Sequence, residues 1–174
     1  MKNKVLLKKI VVNSQEDAIC LAYILSRSLI PPCVVALSGK IGVGKTYIVK
    51  NIIRHINERN ILDFHSPTFN IINKYSSNPL IYHIDCYRIN KNNRFVIEQV
   101  ENIITNSTGM HFVEWYNRLN SLVKHADLNI LFLDMFFIDN HIKNKNKRYI
   151  KVSVSLHMEN AWINSFLTLL DNFF

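Results

Sequence analysis

Glycine is scarce in this sequence, and so are the other residues that interrupt or crosslink a chain: 174 residues hold four glycines, four prolines and three cysteines. No Pro/Gly/Ser linker divides the chain and no internal repeat recurs, so a single domain over residues 1–174 is expected. Cys20, Cys33 and Cys86 form no C-x-x-C pair and leave an odd number. That pattern argues against a disulfide framework or a zinc site, and each cysteine reads as a small buried hydrophobe. Long apolar runs are missing too; none reaches the roughly 20 residues that cross a bilayer. The N-terminal segment MKNKVLLKKIVV breaks its apolar run with Lys8 and Lys9 and lacks a small-residue cleavage site. It reads as a first strand and not a signal peptide, which makes a cytoplasmic protein the expectation.

Acidic residues are in deficit. Thirteen stand against 21 basic ones, a formal charge of +8. Such a surplus suits a phosphate-rich partner, although A- and T-rich codons for Lys, Asn and Ile would produce it equally. The densest run, KNKNKRYIK over 143–151, reads as a solvated hairpin. With 48% hydrophobic and 20% charged residues, the chain can still bury an ordinary globular core.

The apolar pattern alternates between strands and helices, an α/β arrangement. Val5 to Val12 reads as a strand, and Ser14 with Asp17 forms a capping box for a helix running to about Ile30, ended by Pro31-Pro32. Cys33 to Ser38 (CVVALS) is the short continuous apolar run of a strand covered on both faces. A glycine-rich turn follows, then a helix from about Lys45 to Arg59. Thr68 to Tyr75 and Leu80 to Asp85 read as an antiparallel hairpin around Ser76 to Pro79. A helix within Asn93 to Ile104, a strand Met110 to Glu114, and strands Leu128 to Ile138 and Arg148 to Leu156 complete the sheet. In the tail, Trp162, Phe166, Leu169, Leu170 and Phe173 fall at helical spacing. Its polar face carries Asn, Thr and Asp without basic residues, so it reads as a helix docked on the sheet and not on a membrane.

Three of the four glycines fall within eight residues. Gly39-Lys40-Ile41-Gly42-Val43-Gly44-Lys45-Thr46 matches G-x-x-x-x-G-K-[ST] in full. A chain of this length meets the pattern by chance on the order of once in a hundred. The loop also sits between a buried strand and a helix, where its chemistry works. Glycines let backbone N–H groups turn inward onto phosphates, and the helix N-terminus adds partial positive charge. Lys45 reaches the β- and γ-phosphates and the Thr46 hydroxyl ligates magnesium, which points to ATP and Mg²⁺ as cofactors.

A P-loop ATPase also needs an acid near magnesium and a group to orient water. Two acids close apolar strands: Glu114 after Met110 to Val113, and Asp85 after Leu80 to Ile84. Each also reads as a cap or a surface acid. Ser66-Pro67-Thr68 precedes a strand, and its hydroxyls suit a switch segment near the γ-phosphate or an ordinary turn. His83 and Tyr87 flank Asp85, with Arg88 three residues on; a histidine at position 83 is most often a core residue.

In order, LSGKIGVGKT (37–46), SPTF (66–69), YHIDCYR (82–88) and VEW (113–115) resemble the TsaE (YjeE) family of bacterial ATPases. That family is required for making threonylcarbamoyladenosine in tRNA. The resemblance covers nearly the whole chain; each motif after the loop is weak alone, and four in order are strong. It implies a P-loop NTPase-like three-layer sandwich with a mixed sheet, and ATP hydrolysis that resets a TsaB–TsaD complex between rounds of tRNA modification. TsaD would carry out the transfer and TsaC make the adenylate donor, with tRNA met through the complex. By the same resemblance, Lys45 and Thr46 serve phosphate and magnesium, Thr68 lies in the switch-like loop, Asp85 is the acid needed for hydrolysis, Glu114 stands near magnesium and Trp115 lies beside the nucleotide.

Three positions depart from the family pattern. Lys40 replaces an acidic or amide residue, Asn93 to Ile97 replaces a Glu-Glu-Leu segment with no glycine before Gly109, and Tyr116 replaces a proline. Two further readings stand beside the slow partner-dependent ATPase: a nucleotide-gated assembly factor without turnover, and a small-molecule kinase. The kinase would need an arginine-bearing lid, and no segment offers one. A GTPase is disfavoured, because Asn73-Lys74 is followed by Tyr75 and Ser76 and no N-K-x-D motif occurs.

Overall fold

The structure, a computed structural model, describes residues 4–57, 64–67, 70–90, 92–119, 128–138, 147–155 and 160–174. Seven strands form one mixed sheet: β1 (Lys4–Val12), β2 (Cys33–Ser38), β3 (Ile72–Tyr75), β4 (Ile81–Asp85), β5 (Met110–Glu114), β6 (Ile130–Phe137) and β7 (Arg148–Ser155). Their order is β1-β7-β6-β2-β5-β4-β3. The inner four, β6-β2-β5-β4, run parallel. The flanking β1, β7 and β3 pair antiparallel to their neighbours. The first strand and an antiparallel β3–β4 hairpin are as the sequence leads one to expect, but β3 starts at Ile72 and not Thr68, because Ile71 takes a left-handed backbone with φ of 64°; residues 68–69 and the basic segment 139–146 lie outside the described residues.

Strand β2 occupies the centre because five of its six residues can be buried on both faces. Val35 and Leu37 join the core on one side, Val34 and Ala36 the core on the other. Three helices cover the first side: α1 (Gln15–Ser28), α2 (Lys45–Ile56) and α4 (Asn160–Asp171). The second is covered by α3 (Arg94–Asn106) and a short 3₁₀ turn, Tyr116–Arg118. Helices on both faces of the sheet give three layers.

Local chemistry sets the helix ends. The Asp17 amide donates to the Ser14 hydroxyl at 3.1 Å, and the Asn13 amide to the Asp17 carboxylate at 2.8 Å, so the expected cap opens α1. Helix α1 stops at Ser28, two residues short of the expected end. Helix α4 buries Trp162, Phe166 and Leu170, at i, i+4 and i+8, against the α1 side. Its Trp162 indole donates to the Ser28 carbonyl at the end of α1, and Lys8 of β1 pairs with Asp171. The tail is therefore a docked helix, as its polar face suggested. No helix among the described residues is long and apolar enough to cross a membrane. All three cysteines are free, and burial pushes the Cys33 thiol up to about 12, which leaves it a packing residue.

Parallel pairing brings four strand ends to one edge of the sheet, where open α/β folds place their ligands. Asp85 of β4 lies opposite Glu114 of β5, Glu114 opposite Leu37 of β2, and Ser38 opposite Asp134 of β6.

Candidate functional site

The loop from Gly39 to Thr46 joins β2 to α2 in a backbone path that only glycine takes easily. Gly39, Gly42 and Gly44 have φ of 142°, 76° and 109°. A β-carbon on Gly39 would lie 2.5 Å from the Met135 carbonyl oxygen, so the loop base also admits no side chain. Val43 is buried and anchors the loop, whereas Lys40 and Ile41 are exposed at its tip. The Arg148 guanidinium of β7 donates to the Val43 carbonyl at 3.0 Å and braces the loop. Helix α2 begins at Gly44 with no side-chain cap and no acid in its first turn. Its leading N–H groups and positive dipole end are thus left for an anion.

Lys45, the first residue of α2, is 5% exposed. Its ammonium donates to the Gly39 carbonyl at 2.9 Å and the Lys40 carbonyl at 3.1 Å, and lies 4.0 Å from the centre of the Trp115 ring. Burial holds its pKa below the ordinary lysine value, against the upward pull of Glu114 and Asp85. Trp115 has a left-handed backbone, φ 57°, which turns the chain sharply after β5. Its ring packs on Tyr87 with centroids 5.1 Å apart.

Both expected acids are buried at this edge, Glu114 at 2% exposure and Asp85 at 5%. One Glu114 oxygen, Oε2, accepts from the Thr46 hydroxyl at 2.8 Å; the other, Oε1, lies 2.8 Å from His83 Nε2. Asp85 accepts the Tyr87 amide at 2.9 Å, which fixes its carboxylate at the start of the following turn. Lys45, Thr46, Glu114, Asp85 and Trp115 are therefore brought together as expected, with Gly39 to Gly44 around them. Thr68 lies outside the described residues; the preceding Phe64 stacks on His83 at 5.4 Å. His83 is indeed a core residue, and it also bonds the site's carboxylate.

The residues present suit magnesium and a polyphosphate. Magnesium favours oxygen ligands and takes few from protein, completing its shell with phosphate and water. The touching Thr46 hydroxyl and Glu114 carboxylate are such a pair, at the mouth of an amide-lined loop. A β-carbon on Gly42 would meet nothing within 4 Å, so that face of the loop is open.

Two features escape the sequence reading. The first is a polar cluster at the loop base. Asp134 accepts from the Ser38 hydroxyl at 2.5 Å, the Tyr116 hydroxyl at 2.9 Å and the Lys4 ammonium at 2.5 Å. Burial pushes the Asp134 carboxyl up, but these donors and the Lys4 charge outweigh it and leave the group below the ordinary carboxylate value. The departure at Tyr116 thus has a role: its hydroxyl ties the turn after Trp115 to the strand beneath the loop. The second is a cavity of about 220 Å³ between the loop and α1, lined by Val12, Ser14, Gln15, Tyr47, Ile48 and Arg148 among others. Ser14 was legible only as a cap.

Residues 12–141 match the family model described as "Threonylcarbamoyl adenosine biosynthesis protein TsaE". Among curated proteins, the chain is 29% identical over 144 residues to the tRNA threonylcarbamoyladenosine biosynthesis protein TsaE of Rickettsia felis, covering 82% of this chain and 78% of that one. It is 29% identical over 162 residues to the protein of that name in Rickettsia conorii, covering 92% and 86%. Among solved structures, it is similar to YdiB from Bacillus subtilis with a TM-score of 0.65 and 19% identity, covering 99% of this chain and 97% of that one. Likeness at that identity speaks to the fold. The family match spans most of the chain and takes in the loop, His83, both strand-end acids and Trp115; the chain belongs to the TsaE family.

Proposed function

We propose that this chain is a P-loop ATPase of a single domain, acting in the formation of threonylcarbamoyladenosine in tRNA, where it binds ATP and hydrolyses it to reset a TsaB–TsaD complex. The observation that carries the reading is the meeting of Lys45, Thr46 and Glu114 beside an uncapped helix start. In this reading the loop amides and Lys45 receive the triphosphate. Lys45 exchanges two carbonyl acceptors for β- and γ-phosphate oxygens, which bind a cation more strongly than neutral acceptors do. Thr46 and Glu114 hold magnesium, which when bound neutralises charge on the phosphates.

Asp85 orients the attacking water, its other oxygen steadied by the Tyr87 amide. Thr68 serves the γ-phosphate side. Trp115, whose ring Lys45 leaves for the phosphates, lies beside the nucleotide and screens the site from solvent. The cavity beside the loop suits a purine, with apolar walls in Val12 and Ile48 and polar groups in Ser14, Gln15 and Tyr47. The protein would work in the cytoplasm, where its tRNA substrate complex is found.

The test is reconstitution with TsaB, TsaD, TsaC and tRNA, with modified adenosine counted by mass spectrometry over several turnovers. Asp85→Ala should still bind ATP in calorimetry yet lose multiple-turnover modification. Full modification by Asp85→Ala would instead favour a nucleotide-gated assembly factor.

A further inference from the structure

We propose that His83 is a positioning residue: it holds the Glu114 carboxylate so that the second oxygen faces Thr46 and the cation the pair would bind. The proposal deepens the magnesium reading of Thr46 and Glu114 and rests on it.

Strand alternation places His83 and Asp85 on one face of β4, and Phe112 and Glu114 on the same face of the adjacent β5. His83 lies opposite Phe112, one pleat behind Glu114, so its ring reaches diagonally forward to the carboxylate. A carboxylate only accepts, so Nε2 of the ring is the donor at 2.8 Å. The other ring nitrogen, Nδ1, is buried and has no hydrogen-bond partner among the described residues.

That asymmetry is informative. A histidine kept for its own polar satisfaction would use both nitrogens, because a buried polar atom without a partner costs stability. Among the described residues the ring's hydrogen bond goes to Glu114 alone, and packing supplies the rest. His83 is fully buried, and Phe64 stacks on its face with centroids 5.4 Å apart and planes 27° apart. The ring cannot swing away, so Oε1 is pinned and Oε2 is left to Thr46 at 2.8 Å. Groups behind a ligand that fix its orientation change metal affinity by roughly 10–100-fold when removed.

The experiment compares wild type with His83→Leu, His83→Gln and His83→Asn, measuring ATP affinity in EDTA and across a Mg²⁺ titration. Gln places an amide donor where Nε2 stands. Asn places one nearer Nδ1, on the side that faces no acceptor. His83→Leu and His83→Asn should bind ATP as wild type does in EDTA but need about 10-fold or more Mg²⁺ for the metal-dependent gain. His83→Gln should return within a few-fold of wild type. Should Leu melt the fold, the Asn and Gln pair carries the same comparison, since both are polar amides in the same pocket.

An unchanged Mg²⁺ midpoint in His83→Leu or His83→Asn overturns the proposal, and so does equal loss in Gln and Asn. A wild-type protein whose ATP affinity ignores Mg²⁺ overturns the magnesium reading, and this proposal with it.

Discussion

Replacing Lys45 by Ala removes the cation that touches the Gly39 and Lys40 carbonyls, and its effect on ATP binding can be estimated from the geometry. A hydrogen bond to a charged group contributes about 1.5–3 kcal/mol, so two bonds to phosphate oxygens amount to roughly 3–6 kcal/mol. Against this stand the contacts Lys45 gives up: carbonyl bonds at 2.9 and 3.1 Å and the Trp115 ring at 4.0 Å. Taking the low end for each phosphate bond leaves about 3 kcal/mol, which at about 1.4 kcal/mol per decade is roughly a 100-fold loss of affinity. Calorimetric titration with MgATP should show saturation for wild type and no measurable heat for Lys45→Ala at the same concentrations. The fold should persist, because Gly39 is only partly buried, Lys40 is exposed, and their carbonyls can turn to water. A folded Lys45→Ala protein with wild-type affinity would refute the assignment of the loop.

Asp134→Asn should cost about 1–3 kcal/mol at neutral pH by denaturant unfolding, because Lys4 then loses the charge it faces in a half-buried cluster. The Asp134 carboxyl titrates below the ordinary carboxylate value when folded, so its stabilisation is present above about pH 4 and is lost as pH falls through the folded value. Wild type and Asp134→Asn should therefore converge in acid; a gap that stays constant down to pH 2 would contradict this. Trp115 should change fluorescence when MgATP displaces Lys45 from its ring, and Trp115→Phe should abolish the signal, leaving the buried Trp162 as background. Phe166→Ala should destabilise the chain by about 3–5 kcal/mol in thermal or denaturant melts, since Phe166 is fully buried where α4 packs on α1.

Much of the site was legible because its residue types have few other uses. Three of four glycines fall in one turn, each at positive φ, and Lys45 and Thr46 follow at the spacing that phosphate chemistry requires. Glu114 and Asp85 stood out as acids that end apolar runs, and the parallel register sets them side by side. Asp134 carries the same signature, after Ile-Leu-Phe-Leu, but Met135, Phe136 and Phe137 continue the strand and hide it. The Arg148 bond to Val43 spans 105 residues and depends on β7 entering the sheet beside β6, which no local pattern encodes. His83 shows the limit of single-residue reading: a core position and a ligand-orienting bond are the same place in the fold, and periodicity reports only the first.

The central claim is that a triphosphate with magnesium rests on the loop of Gly39 to Thr46. Isothermal titration of the purified chain with ATP, with Mg²⁺ and then with EDTA, tests it most directly. The account requires saturable one-to-one binding that tightens with Mg²⁺. A flat titration with both ATP and ADP in the presence of Mg²⁺ would contradict it.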